Sequence, residues 1–106
     1  MQTDMLRQFV IDKIEELKGR DIRVLDVHEK TDVADLMIVC SGNSKTHVKS
    51  IAEHVATEAK HAGMPPLGVE GGEQSEWVLV DLGDVVVHVM QETTRDFYQL
   101  EKLWDL

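Results

Sequence analysis

The turn at residues 41–44, "SGNS", lies between an apolar run and a helical pattern, a position where several folds bind phosphate. In nucleotidyltransferases the next strand carries two acids one residue apart, which hold the metal for phosphoryl transfer. Here Asp81 and Asp84 are three positions apart and are separated by Gly83, so they would not project side by side from one strand face. We therefore expect no catalysis. The alternative is a nucleotide-binding or nucleotidyltransferase-like enzyme that uses Ser44, Asp81 and Asp84.

The histidines raise the question of a metal site. His47, His54 and His61 recur every seven residues, so successive rings stand about 10 Å apart along a helix. Because an ion bonds imidazole nitrogen at about 2 Å, no two of them can share it without a ligand from elsewhere. Cys40 lies in an apolar run and His88 among valines, which favours a small core residue and a hydrogen-bonded buried histidine. The sequence predicts no metal, cofactor or catalytic residue.

Two aromatic residues and an arginine form a second candidate site. Trp77 opens a strand directly after an acidic loop, and Tyr98 lies off the apolar stripe of the last helix, one turn after Arg95. If that helix packs near the start of the strand, Trp77, Tyr98 and the 67–71 loop form one patch. Such residues are common anchors of protein interfaces. The residue types equally allow Trp77 to close the core beneath the loop.

The elements that would position these residues follow from hydrophobic spacing. A first helix begins at a cap, Thr3 or Asp4, and ends at Gly19. Residues 22–28 alternate as in a strand, and the continuous apolar run 36–42 indicates a strand buried on both faces.

Ser44 then caps a second helix, which ends at Gly63 and Pro65. The 64–76 segment shows no periodicity and is predicted to be a loop. A hairpin of strands 77–82 and 84–90 follows, and then a last helix. The apolar residues expected on one face of that helix are Phe97, Leu100, Leu103 and Trp104. This order, α-β-β-α-β-β-α, predicts an α/β fold: a single domain over 1–106 with a four-stranded mixed sheet flanked by helices.

Composition narrows the classes of function. A chain of 106 residues with 42% hydrophobic residues suits one globular domain. One cysteine, no membrane-length apolar run and no signal-peptide pattern together predict a cytoplasmic protein. The net charge of −9 disfavours direct nucleic-acid binding and favours basic protein surfaces.

Three blocks of sequence resemble the ribosomal silencing factor S, or Iojap-like, family, in its bacterial form. They are "TDVADLMIVCSGNSKTHVKSIAEHV", "PLGVEGGEQSEWVLVDLGDVVVHVM" and "RDFYQLEKLW". The resemblance implies a nucleotidyltransferase-like fold without transferase activity. It further implies binding to the large ribosomal subunit through ribosomal protein L-fourteen, which blocks small-subunit joining and slows translation when nutrients are scarce. Members of the family also form homodimers off the ribosome.

The resemblance assigns family motif positions to Trp77, Tyr98, Glu70 and Gly71. Combined with the patch inferred from residue types, it gives one set of predicted partner-binding residues: Trp77, Tyr98, Glu70, Gly71, Arg95 and Leu67. A homodimeric adaptor that uses the same edge on itself is a further alternative.

Overall fold

A mixed five-stranded sheet organises the chain in the computed structural model, which describes residues 1–104. Strand order across the sheet is β1-β2-β5-β4-β3, with β2 and β5 parallel and the other neighbours antiparallel. The elements are α1 (Thr3–Glu16), β1 (Arg20–Asp26), β2 (Leu36–Gly42), α2 (Lys45–His61), β3 (Gly68–Glu70), β4 (Trp77–Asp81), β5 (Val85–Gln91), α3 (Glu92–Tyr98) and α4 (Leu100–Trp104). This confirms the predicted α/β class, with one strand more than expected.

The two long helices cover one face of the sheet. Their buried positions repeat at helical spacing, and they pack on alternate residues of the central strands, including Ile38 and the fully buried Cys40. Both β2 and β5 are apolar over most of their length because each is flanked by strands on both sides and covered above and below. No helix among the described residues is long and apolar enough to cross a membrane.

The opposite face of the sheet is covered by the short C-terminal helices. A second apolar cluster forms there around Val39, Met90 and Leu100, with Trp77 and Trp104 packed against it. Since β5 runs directly into α3, this end of the chain folds back over the sheet end at which β4 begins.

Helix ends differ from the predicted ones in two places. Ser44 caps α2 as predicted, since its Oγ accepts a hydrogen bond from the His47 backbone N–H at 3.0 Å. The N-cap of α1 is Gln2, not Thr3 or Asp4, and it makes no side-chain cap bond. The helix also ends at Glu16, before Gly19, because Lys18 takes a left-handed conformation with φ 61°.

The fifth strand lies within the segment predicted to be a loop. Residues Gly68–Glu70 pair antiparallel with β4, with Val69 opposite Val80. A strand of three residues on the sheet edge has little alternating pattern to reveal it. The first strand also begins two residues earlier than predicted, at Arg20.

The last helix is broken, contrary to the expectation of one continuous apolar face. Gln99 has φ 51° and ψ 52°, the left-handed conformation, and separates α3 from α4. As a result Leu100 is buried while Phe97 and Leu103 are exposed. A backbone reversal at one residue redirects the side chains on either side of it.

Two of the three histidines on α2, His47 and His54, contact the end of α1. His47 Nδ1 accepts from the Asn43 backbone N–H at 2.9 Å, so its Nε2–H donates to the Leu17 carbonyl at 2.7 Å. His54 Nε2 lies 2.8 Å from Glu16 Oε1. Both contacts tie α2 to the C-terminal end of α1.

Candidate docking surface around Trp77 and Tyr98

The sheet register brings Trp77 and Tyr98 together. Trp77 opens β4 opposite Met90 of β5, and β5 continues into α3, which ends at Tyr98. The indole and phenol ring centroids are 4.9 Å apart, with planes tilted by 50°, a favourable aromatic geometry. Residues distant in the sequence thus form one aromatic pair, at the place where the sequence predicted the patch.

An open cavity of about 830 Å³ lies beside this pair. Trp77 and Tyr98 line it together with Glu70 at the end of β3 and with the loop that joins β3 to β4, which contributes the carboxylates of Glu73 and Glu76. The cavity therefore combines aromatic surface with negative charge. Trp77, Tyr98 and this acidic loop together form the candidate docking surface, called the docking surface below.

Gly71 allows the loop to approach Trp77 closely. Its φ is +88°, and a Cβ at this position would lie 2.1 Å from the Trp77 carbonyl oxygen. The loop then closes on itself, since the Ser75 backbone N–H donates to the Gly71 carbonyl at 2.9 Å and Ser75 Oγ donates to the Gly72 carbonyl at 2.7 Å. Only glycine fits both the backbone conformation and the space.

The indole of Trp77 is hydrogen-bonded beneath the surface. Its Nε1–H donates to His88 Nδ1 at 2.9 Å, and the two ring centroids are 5.8 Å apart. His88 is 5% exposed, and this burial lowers its pKa from 6.5 to about 4, which keeps the imidazole neutral at ordinary pH. The predicted buried, hydrogen-bonded histidine is confirmed.

Two of the predicted partner-binding residues lie away from the docking surface. Leu67 donates its backbone N–H to the Asp81 carbonyl at 2.8 Å, at the other end of β4 and about 13 Å from Trp77 at about 3.3 Å per strand residue. Arg95 is buried. The structure therefore does not bring these two residues beside Trp77 and Tyr98, because residue types did not show which way the chain turns on either side of the patch. Their assignment as partner-binding residues stays a prediction.

Arg95 has a structural role instead. Its Nη1 donates to Ser41 Oγ at 2.8 Å, and its Nε donates to the carboxylate of Glu101. Arginine here attaches α3 and α4 to the end of β2, and thereby fixes the helix that carries Tyr98. Burial acts to raise the pKa of Glu101, but a backbone hydrogen bond and Arg95 together outweigh this effect and lower it.

Phe97 is a surface residue that sequence reasoning missed. It is 80% exposed, and its ring meets that of Tyr98 edge to face with centroids 5.0 Å apart. The helical pattern placed it on the buried face. The left-handed conformation at residue 99 overturns this placement, and the sequence gives no sign of it because the residue is Gln and not the usual glycine or asparagine. Phe97 extends the aromatic surface.

The residues of the alternative enzyme site do not come together. Ser44 follows the carboxyl end of β2, whereas Asp84 precedes β5, whose first residue pairs with the first residue of β2. The two are thus about 20 Å apart, the length of a seven-residue strand at about 3.3 Å per residue. Asp81 accepts the Gly83 backbone N–H at 2.9 Å within the hairpin turn. Among residues 1–104 no three His, Cys, Asp or Glu side chains lie close enough to hold a metal ion.

These features define a class of small α/β domain with a five-stranded mixed sheet and an aromatic, acidic surface at one sheet end. The family model described as ribosomal silencing factor during starvation matches residues 2–105. The chain belongs to this family.

Relatives and a solved structure agree with that membership. Ribosomal silencing factor RsfS of Haemophilus influenzae is 43% identical over 99 residues, covering 93% of this chain and 97% of that protein. A crystal structure of a Chromobacterium violaceum protein is 44% identical, with a TM-score of 0.97, over 99% of this chain and 88% of that one. The mouse "mitochondrial assembly of ribosomal large subunit protein 1" is 34% identical over 91 residues, covering 83% of this chain and 40% of that protein. The description of the family, ribosomal silencing factor during starvation, names a regulatory role.

Proposed function

We propose that this protein is a non-enzymatic translational repressor of the cytoplasm that binds the large ribosomal subunit and sterically blocks joining of the small subunit. The observation that carries the proposal, beyond family membership, is the docking surface itself. It combines the half-buried Trp77 and the exposed Tyr98 with an acidic cavity at one end of the sheet. The contact is assigned to ribosomal protein L-fourteen on the face where the subunits meet.

The chemistry of the docking surface suits a basic protein partner. Tyr98 is 54% exposed and Phe97 more so, which makes them anchors of the kind that dominate binding energy at interfaces. The loop carboxylates beside them favour partner surfaces rich in lysine and arginine. The mouse relative's name refers to the large subunit, which supports the same choice of partner.

The mechanism requires no reaction. The folded chain measures 34 × 31 × 21 Å, large enough that its presence on the joining face excludes the other subunit from the same space. Repression under nutrient limitation then depends on occupancy of that face.

Sedimentation of the purified protein with isolated large subunits, small subunits and joined ribosomes tests the proposal. We expect co-sedimentation with large subunits, and a falling fraction of joined ribosomes as protein is added. Binding to small subunits alone, or an unchanged joined fraction at saturating protein, would contradict steric exclusion.

Substitution of the aromatic pair tests the docking surface. Trp77→Ala and Tyr98→Ala should each weaken large-subunit binding by about 1–3 kcal/mol, as truncation of interface anchors does. Val33→Ala is the matched control, because Val33 is 74% exposed and lies outside the cavity lining. Aromatic variants that sediment with large subunits as strongly as Val33→Ala would remove Trp77 and Tyr98 from the interface.

Self-association is a second candidate for the same surface. Phe97, Tyr98 and Leu103 are exposed together on α3 and α4, which favours a homodimer off the ribosome. Mass measured against concentration, with and without large subunits, separates the two. If both partners use this surface, large subunits should dissociate the dimer, and a dimer that persists on the subunit would place its contact elsewhere.

A further inference from the structure

The burial of His88 in the sheet is energetically unfavourable. This residue lies in β5 among valines with almost no exposure, and its Nε2 has no hydrogen-bond partner among the residues that the structure describes. A buried polar atom without a partner loses its hydration and gains nothing in return. Apolar Val86 and Met90 occupy the same face of β5 on either side of it. Core packing alone would be served better by an apolar residue.

Within residues 1–104, His88 takes part in one side-chain hydrogen bond, which it accepts from Trp77. Because Nδ1 accepts the indole N–H, the neutral ring carries its own proton on Nε2, the atom left without a partner. Trp77 pairs with Met90 across the strands, so His88 is its diagonal neighbour on the same face of the sheet. The indole is thereby held at its nitrogen by His88 and on its ring by Tyr98.

We propose that His88 is a positioning residue of the docking surface: its Nδ1 fixes the orientation in which Trp77 is presented beside the acidic cavity. The inference rests on the proposed function, since it assigns His88 a role in large-subunit binding without contact to the partner. This role predicts that loss of the His88 imidazole affects the stability of the fold and the binding of large subunits differently. Removing the imidazole removes a buried unpaired donor from the core, but it also releases the indole.

Two substitutions distinguish this role from simple packing. His88→Leu keeps an apolar side chain of similar size and lacks the acceptor, whereas His88→Asn retains an acceptor oxygen near the position of Nδ1. Both are made with Trp104→Phe, so that Trp77 is the remaining tryptophan. The Trp104→Phe chain alone serves as the reference for the near-ultraviolet circular dichroism of Trp77, the urea midpoint and large-subunit sedimentation.

We expect His88→Leu to diminish the Trp77 circular dichroism band and to weaken large-subunit binding about five- to tenfold, the effect of losing one hydrogen bond. Its urea midpoint should be no lower than that of the reference. His88→Asn should restore both the band and the binding.

Opposite results overturn the proposal. A His88→Leu chain that keeps the reference band and binding shows that Trp77 needs no hold from His88. A loss of band, binding and urea midpoint together, unrelieved by His88→Asn, makes His88 a packing residue. If the original chain, with Trp104 in place, fails to sediment with large subunits, the proposed function fails and the link to docking with it. The circular dichroism band of Trp77 and the urea midpoint would then still show whether His88 fixes the orientation of Trp77.

Discussion

Trp77 is constrained at several points by residues that sequence order does not place beside it. Its indole N–H bonds His88, its ring meets Tyr98, and its carbonyl is covered by Gly71. The proximity of Trp77 and Tyr98 followed from residue types and the expected packing of the last helix. The bond to His88 did not, because it depends on a cross-strand register that spacing alone leaves open.

His88 gives a prediction of stability against pH. Its pKa is about 4 in the folded chain, below its value of 6.5 when unfolded, so the unfolded chain binds the proton first as pH falls. The contribution of neutral His88 is therefore fully present above pH 6.5 and is lost as pH falls toward 4. The loss is on the order of 3 kcal/mol, since each pH unit in that window is worth about 1.4 kcal/mol.

Urea unfolding of the original chain and of His88→Asn at pH 7, 6, 5 and 4.5 measures this contribution. The comparison removes other titrations, including that of exposed His28, whose pKa Asp26 raises and whose contribution has the opposite sign. A difference between the two chains that stays constant over the series would contradict the assigned pKa shift.

Among the elements, α3 and α4 depart furthest from expectation. Periodicity predicted the helical residues correctly, yet a left-handed Gln99 divides them and reverses which side chains are buried. The tertiary contact of Arg95 with Ser41 and Glu101 accompanies this break. Such contacts between elements are not encoded in local spacing.

Loss of Arg95 should destabilise the chain strongly. Arg95→Ala removes the ion-pair partner of Glu101, whose side chain is mostly buried. The uncompensated carboxylate should lower the free energy of unfolding by about 3 kcal/mol. Arg20→Ala is the control: its pair with Glu92 at 3.8 Å is more than half exposed, and should be worth at most about 1 kcal/mol. Equal urea midpoints for the two variants would show that the buried pair does not attach α3 and α4.

Gly71 and Gly72 form a matched pair in the loop between β3 and β4. Gly71→Ala should move the loop away from Trp77 and weaken large-subunit binding, because its Cβ meets the Trp77 carbonyl and its φ is positive. At Gly72→Ala the new Cβ meets nothing within 4 Å, so binding should be unchanged. Sedimentation and urea unfolding of both chains measure the effect, and similar behaviour of the pair would argue against close loop packing.

At the scale of the whole molecule, the pattern of apolar residues predicts the central elements of the fold better than it predicts the edge of the sheet. The α/β class, both long helices and the central strand β2 were predictable, since each buries a periodic or continuous apolar run. The edge strand β3 was not, because its three residues gain their structure from pairing with β4. Pairing is a property of the folded chain.

Net charge gives a prediction for the molecule as a unit. A charge of −9 repels a phosphate backbone, so the protein should bind intact large subunits but not protein-free large-subunit RNA at the same salt concentration. Sedimentation with the two particles side by side measures this. Equal binding to bare RNA would mean that the partner surface is not a ribosomal protein.

The burial of Cys40 makes the chain a convenient reporter of its own opening. It is the sole cysteine, has no exposed surface in β2, and burial raises its pKa to about 12. An alkylating reagent therefore reacts only with molecules in which the sheet has separated. The labelling rate therefore measures how often the sheet opens, without an added dye. A cysteine introduced on the surface can also be labelled selectively, because Cys40 does not react in the folded chain.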